Sequence, residues 1–363
     1  MASWTLTADE IDDLADGCTL LGSGGGGDTH CFRMVLRELL ASRGPVRIID
    51  ADALAPDTTV ANLGFVGAPI VMTEKLLCEN EIVIAVEAME RRLGRSIGAI
   101  MAAEIGGGNG LVPLIAASLL DLPVVDADGM GRAFPLSDQI TYSIYGHSAA
   151  PTVVTTEKGD IVCIESPNNR RIEQMVRALS VVNGNTCFTA DYVLSASDVR
   201  SCAVLESVSL ARHIGGALRA ARATHSELVP ALANALKSAG LAVACLFDGK
   251  VMDSRHETRG GFGFGRVTLS SLPPAAEMTV DFQNEYLVAR RNGIAVATTP
   301  DIISLVDSET LRNIGSESVR YGQRIKVLAI EAPQLLRSPA ALKVIGPSAF
   351  GFDVEYRPIS ACA

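Results

Sequence analysis

The 363-residue chain lacks most of the features that assign a function directly. Its eight cysteines, Cys18, Cys31, Cys78, Cys163, Cys187, Cys202, Cys245 and Cys362, include no CxxC pair. A thiol-rich zinc site is therefore disfavoured, and reduced thiols in a cytoplasmic protein are expected. The five histidines, His30, His147, His213, His225 and His256, form neither an HxH nor an HExxH spacing, so no zincin-type site is encoded locally. Basic residues are outnumbered, 31 Lys and Arg against 41 Asp and Glu, for a formal charge of −10. No basic block offers a face to a phosphate backbone, which argues against nucleic acid as a partner. The longest apolar run, residues 110–120, falls well short of the roughly 20 residues that a membrane span needs. The first residues carry neither the basic start nor the apolar core of a signal peptide. A soluble protein of the cytoplasm, with no membrane partner, is the expectation.

Glycine, in contrast, is concentrated. The run Gly22-Ser23-Gly24-Gly25-Gly26-Gly27-Asp28 puts five glycines in six residues ahead of an amphipathic segment. Such a run accepts backbone conformations closed to other residues and lets a ligand approach main-chain N–H groups directly. A second turn, Glu104-Ile105-Gly106-Gly107-Gly108-Asn109-Gly110, follows an apolar strand-like run and precedes an apolar helix. The pair suggests a pocket at helix N-termini, with Gly25, Gly26, Gly27, Gly107 and Gly108 as its lining. Neither run fits a nucleotide fingerprint: no Lys-Ser/Thr follows and no strand directly precedes the first, so no nucleotide cofactor is expected.

Two domains are expected, because the length exceeds what one core usually supports. Residues 8–21, 29–42, 79–92 and 111–120 repeat apolar positions at helical spacing, and 46–49, 60–66, 97–103 and 123–126 read as strands. Residues 152–156 and 161–164 pair around Lys158-Gly159-Asp160. This alternation predicts an α/β domain over residues 1–168 with a partly parallel sheet, where ligands gather beyond the carboxyl ends of strands. Residues 169–345 predict a second domain, helical at 170–182 and 197–239, then short strands between 243 and 306 and at 324–330, as a β-sandwich or small barrel. The fold class is mixed α/β (α+β), with residues 346–363 as a closing segment that returns to the first domain.

Several groups could do chemistry. Asp126 and Asp128 lie two apart at a strand end, where side chains share a face. They could hold a metal or split acid and base roles, or simply form the turn before Gly129. Arg132 could grip a substrate carboxylate, neutralise those acids, or make a surface ion pair. Glu104 enters apolar surroundings, where burial would raise its pKa toward that of a usable base; capping a helix is the alternative. Asp28 could meet a helix dipole or face the cavity as base or ligand. Asn109 could bind a carbonyl or ring nitrogen, or only shape its turn. A divalent ion such as zinc would have to be assembled from distant residues, with Asp28, His30, Asp126, Asp128 and His147 as the candidates. Cys31, at a helix start, is a candidate nucleophile or an inward-packed thiol.

Together, Gly24-Gly25-Gly26-Gly27-Asp28, Glu104-Ile105-Gly106-Gly107-Gly108-Asn109, the segment from Pro123 to Pro135, Phe282-Gln283-Asn284-Glu285, Pro300-Asp301-Ile302-Ile303 and Gly346-Pro347-Ser348-Ala349-Phe350-Gly351 resemble the S-methyl thiohydantoin desulfurase family over nearly the whole chain. Asp126 to Pro135 is the most specific part. The family's first glycine run continues Asp-Pro, where this chain has Asp28-Thr29-His30. The resemblance implies a hydrolase that cleaves the C–S bond of an S-methyl thiohydantoin-type ring, giving a hydantoin and methanethiol, with a small cyclic amide or thioimidate as the substrate class, and a companion of hydantoinase and oxoprolinase enzymes. On that reading Glu104 or Asp28 activates water, the glycine loops and Asn109 orient the ring, Asp126 with Asp128 bind a divalent ion or donate a proton, and Arg132 takes a substrate carboxylate. The alternative is a non-catalytic subunit that binds a hydantoin-like ligand or another chain. A homo-oligomer is the base expectation.

Overall fold

The computed structural model describes residues 3–67, 71, 75, 78–224, 227–259, 262–271 and 275–359. His225 and Cys362 lie outside them. The first sheet is partly parallel. Its hydrogen-bonded path runs β1 (Ser3–Leu6), β2 (Val46–Ile49), β5 (Val124–Asp128), β4 (Ala99–Ala102), β3 (Thr59–Gly67), β8 (Thr186–Ser195), β6 (Thr152–Thr155) and β7 (Ile161–Ile164), with β9 (Val204–Leu205) on β5. The pairs β2–β5, β5–β4 and β4–β3 are parallel, and β8 joins β3 antiparallel. Strands from both sides of residue 168 thus build one sheet. No strand was expected at β8.

The predicted helices form: α1 (Ile11–Leu21), α2 (His30–Arg43), α3 (Glu79–Leu93), α4 (Val112–Leu120), α5 (Asn169–Val182) and α6 (Ser207–Thr224). Their apolar faces cover the sheet on both sides. One core holds Leu14, Leu36, Ile100, Ile115 and Phe188, and the other holds Met101, Val125, Tyr142, Val176 and Tyr192. No helix among the described residues is long and apolar enough to cross a membrane.

The β-rich part, expected as a sandwich or small barrel, is one eight-stranded antiparallel sheet. Its path is β14 (Ile294–Thr298), β13 (Glu285–Arg291), β12 (Glu277–Gln283), β11 (Phe262–Ser270), β10 (Val243–Arg259), β17 (Arg324–Ile330), β15 (Ile302–Asp307) and β16 (Asn313–Ile314). It has its own core around Val267, Val280, Tyr286 and Val327. Ile302, Val306, Leu328 and Ile330 instead enter the first core, so the two sheets share apolar burial. Ile359, near the end of the chain, packs into the core of the second sheet.

The first glycine loop links the two sheets. The Ser23 hydroxyl donates to the Ile303 carbonyl at 2.7 Å, and the Ser23 carbonyl accepts from the Tyr286 N–H at 2.7 Å. The Gly24 carbonyl accepts from the Ser316 N–H at 2.9 Å. The second glycine loop lies on the first, with the Gly108 N–H donating to the Gly27 carbonyl at 3.0 Å. A Cβ on Gly26 would sit 2.3 Å from the Gly106 carbonyl oxygen, and one on Gly107 2.4 Å from the Gly26 carbonyl carbon. Both residues also have positive φ, 74° and 67°. Glycine is therefore required here first for backbone packed on backbone.

Candidate functional site

Three parallel strands end at one place. β3 ends at Gly67, β4 leads within two residues to Glu104, and β5 leads through Asp128 to Met130. A cavity opens there, lined by Gly26 and Gly27 of the first loop, Asn62 and Phe65 of β3, Glu104, Asn109, Phe134, Thr189 and Asp191 of β8, Arg177 of α5, and Asn284 and Glu285 of the second sheet. Its place beyond the carboxyl ends of parallel strands is where α/β sheets bind ligands.

Glu104 is buried. Its Oε1 accepts from the Asn109 amide at 2.7 Å and its Oε2 from the Phe134 N–H at 3.3 Å. Asn109 is itself clamped to β3: its Oδ1 accepts from the Phe65 N–H at 2.8 Å and its Nδ2 donates to the Phe65 carbonyl at 3.1 Å. The amide thus fixes the carboxyl group against the sheet. Burial pushes the Glu104 pKa up to about 7, more than the Asn109 and Phe134 hydrogen bonds pull it down.

Glu285 reaches the same cavity from the first residue of β13. Its carboxylate lies against the first glycine loop, so close that a Cβ on Gly25 would be 2.0 Å from Oε1. Its Oε2 is buried without a hydrogen-bond partner among the described residues. Burial first, and the Glu104 charge second, push its pKa up to about 8, against the pull of Arg132. A third carboxyl group, Asp191, stands on β8, separated from β4 by β3. Its Oδ1 accepts from the Asn62 amide at 2.6 Å, and burial raises its pKa to about 7. Two amide–carboxyl pairs, Asn109–Glu104 and Asn62–Asp191, therefore line one cavity.

The other sequence candidates are placed elsewhere, and several expectations need correction. Asp126 does not share a site with Asp128. Its Oδ1 accepts from the Val208 and Ser209 N–H groups at 2.9 and 3.0 Å, and its other oxygen meets the Ser209 hydroxyl, so it caps α6. The Asp128 Oδ2 accepts from the Ile105, Met130 and Gly131 N–H groups at 2.9, 3.0 and 2.7 Å, which folds the turn beneath Glu104. Burial still lifts its pKa to about 6.

Arg132 is fully buried, and its donors are taken by main chain: Nε by the Ala133 carbonyl, one terminal nitrogen by Asp301 at 2.8 Å, the other by Tyr286 at 3.0 Å. It ties the first sheet to the second and places positive charge beneath Glu104 and Glu285. Fully buried, it does not line the cavity in which a substrate carboxylate would meet it. Desolvation lowers its pKa to about 10.

Asp28 is exposed and accepts from the His30 N–H at 2.8 Å, a local turn at the start of α2. His30 is exposed beside Arg33. His147 lies near Asp198, away from the cavity. These metal candidates do not converge, and among the described residues no group of three or more His, Cys, Asp or Glu side chains is placed to hold a metal ion. Gly26, Gly27 and Asn109 line the cavity, whereas Gly25, Gly107 and Gly108 support it from behind. Cys31 is half-buried in the first turn of α2 and does not line it.

The sequence reading missed Asn62, Arg177 and Asp191, and quoted Glu285 only inside a motif. Asn62 and Asp191 do carry a signal, each being a lone polar residue in an apolar strand run. Its meaning depends on the pairing of β3 with β8, which brings them together.

An α/β sheet and an antiparallel sheet thus meet at a cavity that carries buried acidic groups from both parts of the chain. The chain belongs to the S-Me-THD-like family: the model of its N-terminal domain matches residues 9–166 and that of its C-terminal domain residues 167–359. A crystal structure of a protein from Chromobacterium violaceum, a structural-genomics target, is similar over 98% of this chain and 100% of that one, with a TM-score of 0.82 at 24% identity. That likeness shows the fold. No curated protein matches the chain.

Proposed function

We propose that this protein is a hydrolase that removes the methylthio group of an S-methyl thiohydantoin-type ring, giving a hydantoin and methanethiol. The observation that carries the reading is the gathering of Glu104 and Glu285 on one cavity, with carboxyl pKa values of about 7 and about 8. Burial raises both carboxyl groups toward neutral pH, and the charge of each opposes ionisation of the other, so that one can hold a proton while its neighbour is ionised, the division of labour that acid–base catalysis needs.

The reacting carbon carries the methylthio group and is double-bonded to a ring nitrogen. Glu104, oriented by Asn109, takes a proton from water as its oxygen attacks that carbon. Glu285 gives its proton to the ring nitrogen, which receives the electron pair of the C=N bond. As the intermediate collapses, its hydroxyl proton returns to Glu285, the carbonyl forms, and the C–S bond breaks with its electron pair on sulfur, which takes up one proton to give methanethiol while Glu104 releases the one it took from water. Arg132 holds the charge that Glu104 and Glu285 share. Gly26 and Gly27 present main chain where the ring lies.

The test is methanethiol release from an S-methyl thiohydantoin. The wild-type protein is expected to release it, and Glu104→Gln to lose about a hundredfold or more while staying folded. Full turnover by the folded variant would remove the proposed base.

A further inference from the structure

Resting on the hydrolase reading, we propose that Asp191, held by Asn62, is a second catalytic acid that hands its proton to the departing sulfur. Strand pairing sets the two side chains opposite each other, beside an irregularity in the sheet. In the pairing of β3 with β8, Val60 faces Leu194 and Asn62 faces Asp191, so the single residue Ala61 opposes the two residues Tyr192 and Val193. This is a β-bulge, a device that re-aims a side chain and is frequent next to active sites.

Its effect is visible along the strand. Cys187 faces one core while Phe188 and Ala190 face the other, in regular alternation. Asp191 continues that alternation and faces the cavity on the Cys187 side; the break comes after it, at the bulge, where Tyr192, the very next residue, packs into the core on that same side. Tyr192 has φ 38°, a left-handed conformation costly for a bulky aromatic residue. Packing against the Tyr142 ring, with centroids 5.6 Å apart, holds it there. The strained backbone directly follows the carboxyl group and turns the Tyr192 ring to the same side of the sheet.

Asn62 then orients the carboxyl. Its Nδ2 donates to Oδ1, and Oδ2 has no hydrogen-bond partner among the described residues, so the second oxygen is the one left to carry a proton into the cavity. Burial favours the protonated form. Because β3 separates β8 from β4, Asp191 approaches a bound ring from a different wall than Glu104 does. Base and acid can thus act on entering oxygen and leaving sulfur at once. The balance closes: Asp191 gives its proton to sulfur, the proton that Glu104 took from water passes back to Asp191 through solvent, and the products are the hydantoin and neutral methanethiol.

The experiment compares two leaving groups. Methanethiolate is a poor one and needs the proton; 4-nitrothiophenolate leaves as the anion. With the S-methyl substrate, Asp191→Asn is expected to lose about a hundredfold or more in kcat. With the S-(4-nitrophenyl) substrate it should stay near the wild-type rate, while Glu104→Gln fails on both. Asn62→Ala, as a second variant, should show the same dependence on the leaving group in weaker form. Equal losses on both substrates, or no loss on the S-methyl one, would overturn the assignment. A wild-type protein that cleaves neither ring would overturn the hydrolase reading, and the assignment with it.

Discussion

Replacing Glu104 by Gln should make the protein more stable above neutral pH and inactive at every pH. Burial raises the carboxyl from 4.5 to about 7, so the folded protein binds this proton more tightly than the unfolded chain does. Ionisation therefore opposes folding: the penalty is absent below about pH 4.5, grows as pH rises, and is complete above about pH 7, where it amounts to about 3 kcal/mol. Gln cannot ionise and escapes it. Gln keeps one acceptor for the Asn109 amide, but its NH2 group cannot accept from the Phe134 N–H, a loss of about 1 kcal/mol. The variant is thus expected to be about 1 kcal/mol less stable than wild type near pH 4.5 and about 2 kcal/mol more stable near pH 8.5. Urea unfolding at the two pH values measures both. An equal stability difference at the two pH values would refute the claim that this carboxyl is buried with a raised pKa.

Gly25→Ala should displace the Glu285 carboxylate, whose Oε1 would lie 2.0 Å from the new Cβ, and abolish methanethiol release. Gly216→Ala in α6, where the nearest atom is Asp13 Oδ2 at 3.5 Å, is the control and should be neutral or stabilising by up to about 1 kcal/mol in thermal melts. Arg132→Met leaves the Tyr286 and Asp301 carbonyls without their donor and two carboxyl groups without their counter-charge, so chemical denaturation should show a loss of about 3–5 kcal/mol. Asp126→Ala removes the cap of α6 and should cost about 1–2 kcal/mol in the same measurement, with turnover unchanged.

Much of the first sheet was legible because its elements carry strong periodic signals: β2 and the β6–β7 hairpin fall where their patterns predict them. Glu104 was legible for a similar reason, a lone acid after a run of buried residues. Asp126 and Asp128 misled because the rule that residues two apart share a face ignores what each meets: one finds the exposed N–H groups of α6, the other a turn of the main chain. Arg132 misled because a buried guanidinium and a ligand-binding one look alike in sequence, and only the position of the second sheet separates them. Asp191 was missed for a different reason. Its partner Asn62 is set opposite it by strand pairing between residues more than a hundred positions apart, which no local pattern encodes.

The most direct measurement is the pH dependence of kcat/KM for methanethiol release from an S-methyl thiohydantoin ring. Glu104 must be ionised while Glu285 and Asp191 keep their protons, and with values of about 7, 8 and 7 for the three the profile should be a narrow bell centred at about pH 7. Its alkaline limb should move toward pH 8 in Asp191→Asn assayed with the 4-nitrophenyl substrate. A profile flat from pH 6 to about 9 would contradict the account.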